Sequence, residues 1–411
     1  MPVKYCSPQQ TRARPVAKLW SGLGRLRCVF LFMLTTFLSR GRQSARACRV
    51  VGLLTMSTST SSSSFAPPKK LRMVTYNILT PSYSTPKSLP AHPSIYLNEQ
   101  ERLEKILEKL EPEIAQGAVI ALQEVSRAWA GHLHVFFSRA GYHFVHSEYG
   151  RPSSGFMGVG LAWPQSTLEA VDIEISRLAD AKPWPAAPSP GPLSSFSHRL
   201  FRPFRKIWGL QAGREEDVLA SARDRSNVVI VANLRSKQAS PQDMDFFVAC
   251  YHMPCEFRRP SIMTVHAALL VQRMQALAGS KPHIVAGDFN FQPSWPQYRI
   301  ITEGDIEAAH PHYPPLPPSD PWLPHVDQPL RSALRVKWGK EPDFTCYSYA
   351  DRESGERFCA PLDYIFVSSE WKVEDAIKLQ SKDEALKMPC PFPNQDEPSD
   401  HVLLWADLSL P

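Results

Sequence analysis

No two of the eight cysteines stand in Cys-x-x-Cys spacing; they fall at Cys6, Cys28, Cys48, Cys250, Cys255, Cys346, Cys359 and Cys390. That speaks against the common zinc patterns and against a redox dithiol, and such sparing use of cysteine suits a reducing compartment. Long apolar runs are missing too. Cys28–Leu38 offers eleven mostly apolar residues, where a transmembrane helix needs about 20. No internal repeat is evident. Acidic side chains are absent until Glu99, and residues 1–72 hold 13 of the 46 Lys/Arg. The remainder therefore carries 33 basic and 40 acidic residues, a balance of −7. Global charge gives no sign of nucleic-acid binding.

What is plentiful is proline, 39 of 411 residues. It gathers in loops and so marks where regular structure stops. Residues 1–70, rich in Arg and Ser, read as a targeting or low-complexity leader rather than as fold. Arg40 and Arg42 argue against a secretory signal at Cys28–Leu38. The composition suits a mitochondrial transit segment. The alternative is that Met56, which opens the run STSTSSSSFAPPKK, is the working start, leaving the protein in the cytoplasm.

From 71 to 411 the pattern is that of one α/β domain with alternating strands and helices. Leu71–Leu79, Ala118–Leu122, Val228–Leu234, Phe246–Tyr251, Phe344–Tyr349 and Asp363–Val367 are strand signals, apolar and β-branched. Tyr142–His146 and Gly158–Trp163 read as a strand pair. Asn98–Leu110 is an amphipathic helix with Leu103, Ile106, Leu107 and Leu110 on one face and Asn98 as its cap. Trp129–Phe137 and Ile262–Leu277 are further helices. Two Pro-rich insertions interrupt the alternation, Leu178–Asn227 and His310–Pro329. The first carries the basic-aromatic run His198–Trp208, either a solvated surface or a contact for a polyanion.

Polar residues stand at the strand ends: Asn77, Glu124, His252, Asp288, Asn290, Asp363, Asp400 and His401. Each alone has an ordinary explanation as a turn residue, a cap or a core histidine. Eight so placed point to a common edge. The stretch around Asp288 is the most informative. An apolar strand runs into Gly287, which is expected to let the backbone turn, and Asp288 and Asn290 would project from one face of extended backbone. Asp288 can take a proton from water, and Asn290 with His401 can donate to phosphoryl oxygens as charge builds. Asp363 can orient and charge His401, while His252 can assist the leaving oxygen or bind phosphate. Magnesium, or manganese in its place, prefers oxygen ligands and needs only one or two carboxylates. Glu124 and Asp400 are the candidates, with Asn77 adding an amide oxygen.

These residues lie in an ordered set, TYNIL (75–79), LQEV (122–125), YHMPC (251–255), GDFN (287–290), LDYIF (362–366) and SDH (399–401). The set resembles the endonuclease/exonuclease/phosphatase superfamily from about residue 71 to 409. The resemblance implies a four-layer α/β sandwich, two packed mixed β-sheets with outer helices, and a site at one edge between the sheets. Within the superfamily the chain looks most like the deadenylase-like branch of nocturnin, Angel and carbon-catabolite-repression type. Arg225–Leu234, Leu330–Ala333 with Gly339–Thr345, and Pro293–Gly304 carry that likeness. It implies aromatics near Phe344 and Phe358 beside the substrate bases, where stacking tolerates any base.

One element departs from the branch. His-x-His-Trp is replaced by His252-Met253-Pro254-Cys255, which removes a cationic or aromatic ligand contact and with it the basis for adenine preference. No leucine-rich repeat precedes the domain, so docking through one is not expected, and a monomer is. The expected activity is 3′-5′ hydrolysis of single-stranded RNA. The alternative is a phosphatase for a small nucleotide or phosphoinositide-type substrate. A non-catalytic binding module is disfavoured because none of the catalytic positions is substituted. The two enzymatic readings differ in the outer wall of the cleft, expected from both Pro-rich insertions.

Overall fold

Two six-stranded sheets face each other, and the side-chain alternation of their strands explains why. In β1 (Leu71–Asn77), Met73 points into the layer between the sheets, while Val74 and Tyr76 point outward onto helices. In β8 (His283–Asp288), Ile284 and Ala286 face the inter-sheet layer and Val285 the opposite side. Strands covered on both faces read as continuous apolar runs, which is how they stand in the sequence. Each fully buried aliphatic side chain contributes roughly 1.5–3 kcal/mol through its removal from water. The computed structural model describes residues 70–184, 217–237, 245–350 and 355–410. The leader residues 1–69 and the run His198–Trp208 lie outside the described residues.

The first sheet has the order β13-β14-β1-β2-β4-β3, with β2 (Val119–Val125), β3 (Tyr142–Glu148), β4 (Gly158–Pro164), β13 (Lys372–Ala376) and β14 (Leu404–Ser409). The second has the order β5-β6-β7-β8-β12-β9, with β5 (Leu168–Arg177), β6 (Val228–Ser236), β7 (Phe246–His252), β9 (Arg331–Ser332) and β12 (Asp363–Val367). Helices Glu99–Ala115 and Arg127–Arg139 cover the first sheet, and helix Pro260–Ala278 covers the second. The four-layer sandwich is the expected one. Asn98 caps its helix by accepting from Gln100 N and Glu101 N. That helix runs on past the expected end at Leu110, through Pro112, to Ala115.

Three expectations are corrected. Gly287 is not a turn; the strand continues through it to Asp288. Glycine is needed because a Cβ there would lie 1.9 Å from the Tyr251 carbonyl oxygen on β7. The strand expected at Phe344–Tyr349 begins at Cys346; β10 (Cys346–Tyr349) pairs with β11 (Arg357–Ala360) in a separate two-stranded ribbon, and Cys346 forms an isolated antiparallel bridge with His401. His310–Pro329 does not wall the cleft. It packs onto the back of helix Pro260–Ala278, where Gln272 Nε2 donates to the carbonyls of Leu323 and His325. No helix among the described residues is long and apolar enough to cross a membrane.

Candidate active site

Strand direction brings the site together. β1 and β2 run parallel, as do β7 and β8, so Asn77, Glu124, His252 and Asp288 meet at one edge. β12 runs antiparallel to β8 and places Asp363 in register with Asp288. On the other side of β8, His252 is in register with Asp288. Asp400 and His401 arrive from the loop before β14. All eight strand-end residues converge.

Asp288 Oδ2 is the point of convergence. Asn77 Nδ2 donates to it at 2.9 Å, His252 Nε2 lies 3.3 Å away and His401 Nε2 3.8 Å. Asp288 Oδ1 accepts from the Asn290 backbone N–H at 2.9 Å. That bond folds the chain over after the strand, so Asp288 and Asn290 do not share a strand face as the sequence suggests. Asn290 adopts a left-handed φ of +53° and points Nδ2 at His252 Nε2 (3.1 Å) and the Met253 carbonyl (3.0 Å). Glu124 is likewise left-handed, φ +59°, as the extra residue of a bulge between Gln123 and Val125. Each such conformation costs roughly 1–3 kcal/mol in a residue with a Cβ. The bulge turns Glu124 into the cleft, where Oε2 accepts from Thr80 N at 3.0 Å.

Asp363 Oδ2 holds His401 Nδ1 at 2.7 Å and accepts from Thr345 Oγ1 at 2.6 Å. Burial alone would lower the His401 pKa, but Asp363, with Asp288 and Asp400 beyond it, raises the imidazole well above its usual value. The contact is a charge-assisted hydrogen bond with the proton on the imidazole. His252 has a different partner: its Nδ1 lies 2.5 Å from the Tyr149 hydroxyl.

The carboxylates fit a hard divalent cation. Burial pushes the Glu124 carboxyl up, His252 opposes that, and the charge of Asp400 adds to the rise. Like charges gathered on a buried floor are what such a cation relieves. Asp363 Oδ1 is buried with no hydrogen-bond partner among the described residues. Ligand atoms of Asp288, Asp363 and His401 lie within 4.8 Å of one another, as do those of Cys346, Asp400 and His401. Glu124 and Asp400, the carboxylates that could hold the ion, both line the cleft. Asn77 Oδ1 accepts from Leu79 N at 3.0 Å, and Nδ2 faces the carboxylates. It orients Asp288 and Glu124. The bound ion would neutralise phosphate charge.

Above this floor opens a cleft of about 1140 Å³. Tyr83, Tyr149, Phe257, Trp295, Tyr349 and Phe358 line it, with Arg151, Arg225 and Arg259. Phe358 is where the sequence places a base-stacking ring. Phe344 is not brought to the cleft: it is 1% exposed, packed with Tyr347, Cys359 and Phe392 under the ribbon.

Residues 74–401 match the Endonuclease/Exonuclease/phosphatase family. The chain belongs to that family. The members of the Endonuclease/Exonuclease/phosphatase family are metal-dependent phosphoric-ester hydrolases acting on nucleic acid or nucleotide substrates. Among curated relatives it is 25% identical to Nocturnin of Drosophila melanogaster over 202 residues, 48% of this chain and 30% of that one. It is 32% identical to 2′,5′-phosphodiesterase 12 of Mus musculus over 134 residues, 31% of this chain and 19% of that one. It is 21% identical to the CCR4-Not complex 3′-5′-exoribonuclease subunit Ccr4 of Aspergillus niger over 387 residues, 85% of this chain and 53% of that one. The chain thus spans about half or less of these relatives' length. Solved structures share the fold. ANGEL2, a 2′,3′-cyclic phosphatase in complex with adenosine-2′,3′-vanadate, superposes with TM-score 0.59 at 18% identity, covering 83% of this chain and 96% of that one. The human Nocturnin catalytic domain gives 0.53 at 19%, covering 84% and 95%. The likeness to Nocturnin and Ccr4 supports the deadenylase-like branch that the motifs imply.

Sequence reasoning assigned no role to the residues that hold the site in place, Ser399 of the SDH motif among them. Ser399 Oγ donates to the Asn77 carbonyl at 2.6 Å and accepts from His401 N at 3.2 Å, tying the last motif to the first. Arg102, a 2% exposed charged residue beside the apolar face of its helix, donates to the carbonyls of Ile78, Leu79 and Pro398. No local pattern marks it; a buried arginine in an amphipathic helix reads like its exposed neighbours. Tyr149 and Thr345 stand beside strand ends, outside the ordered motifs.

Proposed function

We propose that the protein degrades single-stranded RNA from its 3′ end with magnesium as its cation. The observation that supports this best is the cleft itself. At about 1140 Å³ it exceeds the usual ~300–1,000 Å³ of a small-molecule pocket. Its walls carry the rings and guanidiniums that successive bases and phosphates use in binding single strands. Asp288 takes the proton of the attacking water, and the charged His401 faces the phosphoryl oxygens. His252, steadied by Tyr149, stands where it can protonate the leaving oxygen. Asp363 keeps His401 charged. The relative named a 3′-5′-exoribonuclease subunit supports the direction of attack.

The test is a panel incubated with magnesium: 5′-labelled RNA with a free 3′ hydroxyl, the matching DNA, 2′,5′-linked oligoadenylate, RNA with a 2′,3′-cyclic end, and inositol phosphates. A ladder shortening from the 3′ end of RNA, with at most modest preference for adenine, supports the reading. Turnover confined to small phosphate esters would replace it with the phosphatase reading.

A further inference from the structure

Cys346 and His401 face each other across the isolated antiparallel bridge between β10 and the loop that leads to β14. The hydrogen bonds lie on either side of that pair: Val402 N donates to the Thr345 carbonyl at 2.8 Å and Tyr347 N to the Asp400 carbonyl at 2.9 Å. The two residues therefore form a non-hydrogen-bonded pair, the kind whose side chains approach most closely on one face. Cys346, Asp400 and His401 all line the cleft. One ligand atom from each of the three lies within 4.8 Å of the other two.

A buried cysteine is ordinarily packing. This one stands with an imidazole and a carboxylate, and the imidazole is already oriented. Asp363 Oδ2 engages His401 Nδ1 at 2.7 Å, and Thr345, next to Cys346 in sequence, donates to the same oxygen at 2.6 Å. A carboxylate on one ring nitrogen, leaving the other for an ion, is how metal-ligating histidines are usually held. Here Nε2 is the nitrogen left. Sulfur, nitrogen and oxygen together make a poor set for magnesium, which takes oxygen ligands. Thiolate with imidazole favours zinc, and three protein ligands are the number that leaves its fourth tetrahedral position open. No Cys-x-x-Cys spacing announces the set, because β10 and the loop before β14 bring it together from distant parts of the chain.

We propose that Cys346, Asp400 and His401 form an inhibitory zinc site inside the cleft. On binding, the Cys346 thiol proton and the Nε2 proton of the charged His401 leave to solvent, and sulfur, nitrogen and a carboxylate oxygen each donate an electron pair to the ion. Asp400 is then withdrawn from the catalytic cation, and His401 no longer presents a charged N–H to phosphoryl oxygens. The inhibition rests on the hydrolase reading of the cleft; the binding does not.

The full chain is titrated with cobalt(II), a spectroscopic stand-in for zinc, and then with zinc to displace it. A thiolate-to-cobalt charge-transfer band that zinc bleaches is expected in the unsubstituted protein. It is expected to survive in Cys255→Ser, the variant of a second cysteine that lines the cleft, and to be lost in Cys346→Ser. No band in the unsubstituted protein, or an equal band in Cys346→Ser, overturns the site. Zinc is titrated in parallel into the magnesium-dependent hydrolysis assay, each protein scaled to its own zinc-free rate. The half-inhibiting zinc concentration is expected to rise about tenfold or more in Cys346→Ser; an unchanged one overturns the inhibition. Should Cys346→Ser not fold, Asp400→Asn decides: cobalt binding weakened about tenfold or more supports the site, and unchanged binding overturns it. A cobalt band that meets these tests in a protein that turns over no substrate supports the site and removes the hydrolase reading, so the two failures are distinct.

Discussion

Asp363 Oδ2 lies 2.7 Å from His401 Nδ1, and both side chains are almost wholly buried. The carboxylate fixes which imidazole nitrogen is bonded and keeps the ring charged, and the other nitrogen, Nε2, is left 3.8 Å from Asp288. Asp363→Asn keeps the shape and loses the charge. We expect kcat to fall by about 100-fold or more with KM changed only a few-fold, because the lost interaction matters most as phosphoryl charge develops. Steady-state kinetics on the best substrate of the panel measures it. A change confined to KM would contradict this role.

Glu124→Gln removes one of the two charges assigned to the cation. The amide is isosteric but a poor ligand for a hard ion. The magnesium concentration for half-maximal activity is expected to rise about tenfold. An unchanged midpoint would remove Glu124 from the cation's ligands.

His266 gives the fold a pH dependence of its own. It is fully buried between the Tyr251 hydroxyl, 2.8 Å from Nδ1, and the Ala222 carbonyl, 3.0 Å from Nε2. Burial lowers its pKa to about 4, with the Ala222 bond pulling the other way and Arg225 and Arg177 adding to the fall. Above an unfolded-state pKa of about 6.5 both states are neutral and the group has no effect. As pH falls from about 6.5 to about 4 only the unfolded chain binds the proton, so stability drops, by roughly 3 kcal/mol in all. Urea unfolding at several pH values should show this slope, and His266→Gln should flatten it. An equal slope in the variant would assign the loss to other groups.

Arg102→Leu is expected to destabilise the protein by roughly 3–5 kcal/mol. It strands the carbonyls of Ile78, Leu79 and Pro398 in a buried region. Burial lowers the Arg102 pKa to about 10, so the native side chain is still charged near neutrality. The urea midpoint reports the effect; a loss below about 1 kcal/mol would mean that water replaces the guanidinium.

The layers of the fold were legible because strands buried on two faces leave continuous apolar runs, as in Ile284–Ala286, and because Asn98 and the Leu103/Ile106/Leu110 stripe mark a helix. The eight site residues were legible because parallel neighbours put strand ends at one edge, and sequence order preserves that. Local backbone was not. Nothing in Gly287-Asp288-Phe289-Asn290 distinguishes a turn at the glycine from one at the asparagine, since only the Tyr251 carbonyl across the strand decides it. The burial of Phe344 was hidden for the same reason: a ring beside a ribbon faces either the cleft or the packing beneath it, and Phe392, distant in sequence, claims it. Arg102 and Ser399 bond to backbone carbonyls far along the chain, and no spacing reveals such a partner.

The proposed function turns on Asp288 as the residue that would take the proton from the attacking water. The decisive experiment is the hydrolysis rate of Asp288→Asn with magnesium on 5′-labelled single-stranded RNA, beside its thermal midpoint. The rate is expected to fall by about 10²–10⁴-fold or more, with a cooperative melt retained. Activity within a few-fold of the unsubstituted protein would contradict that role.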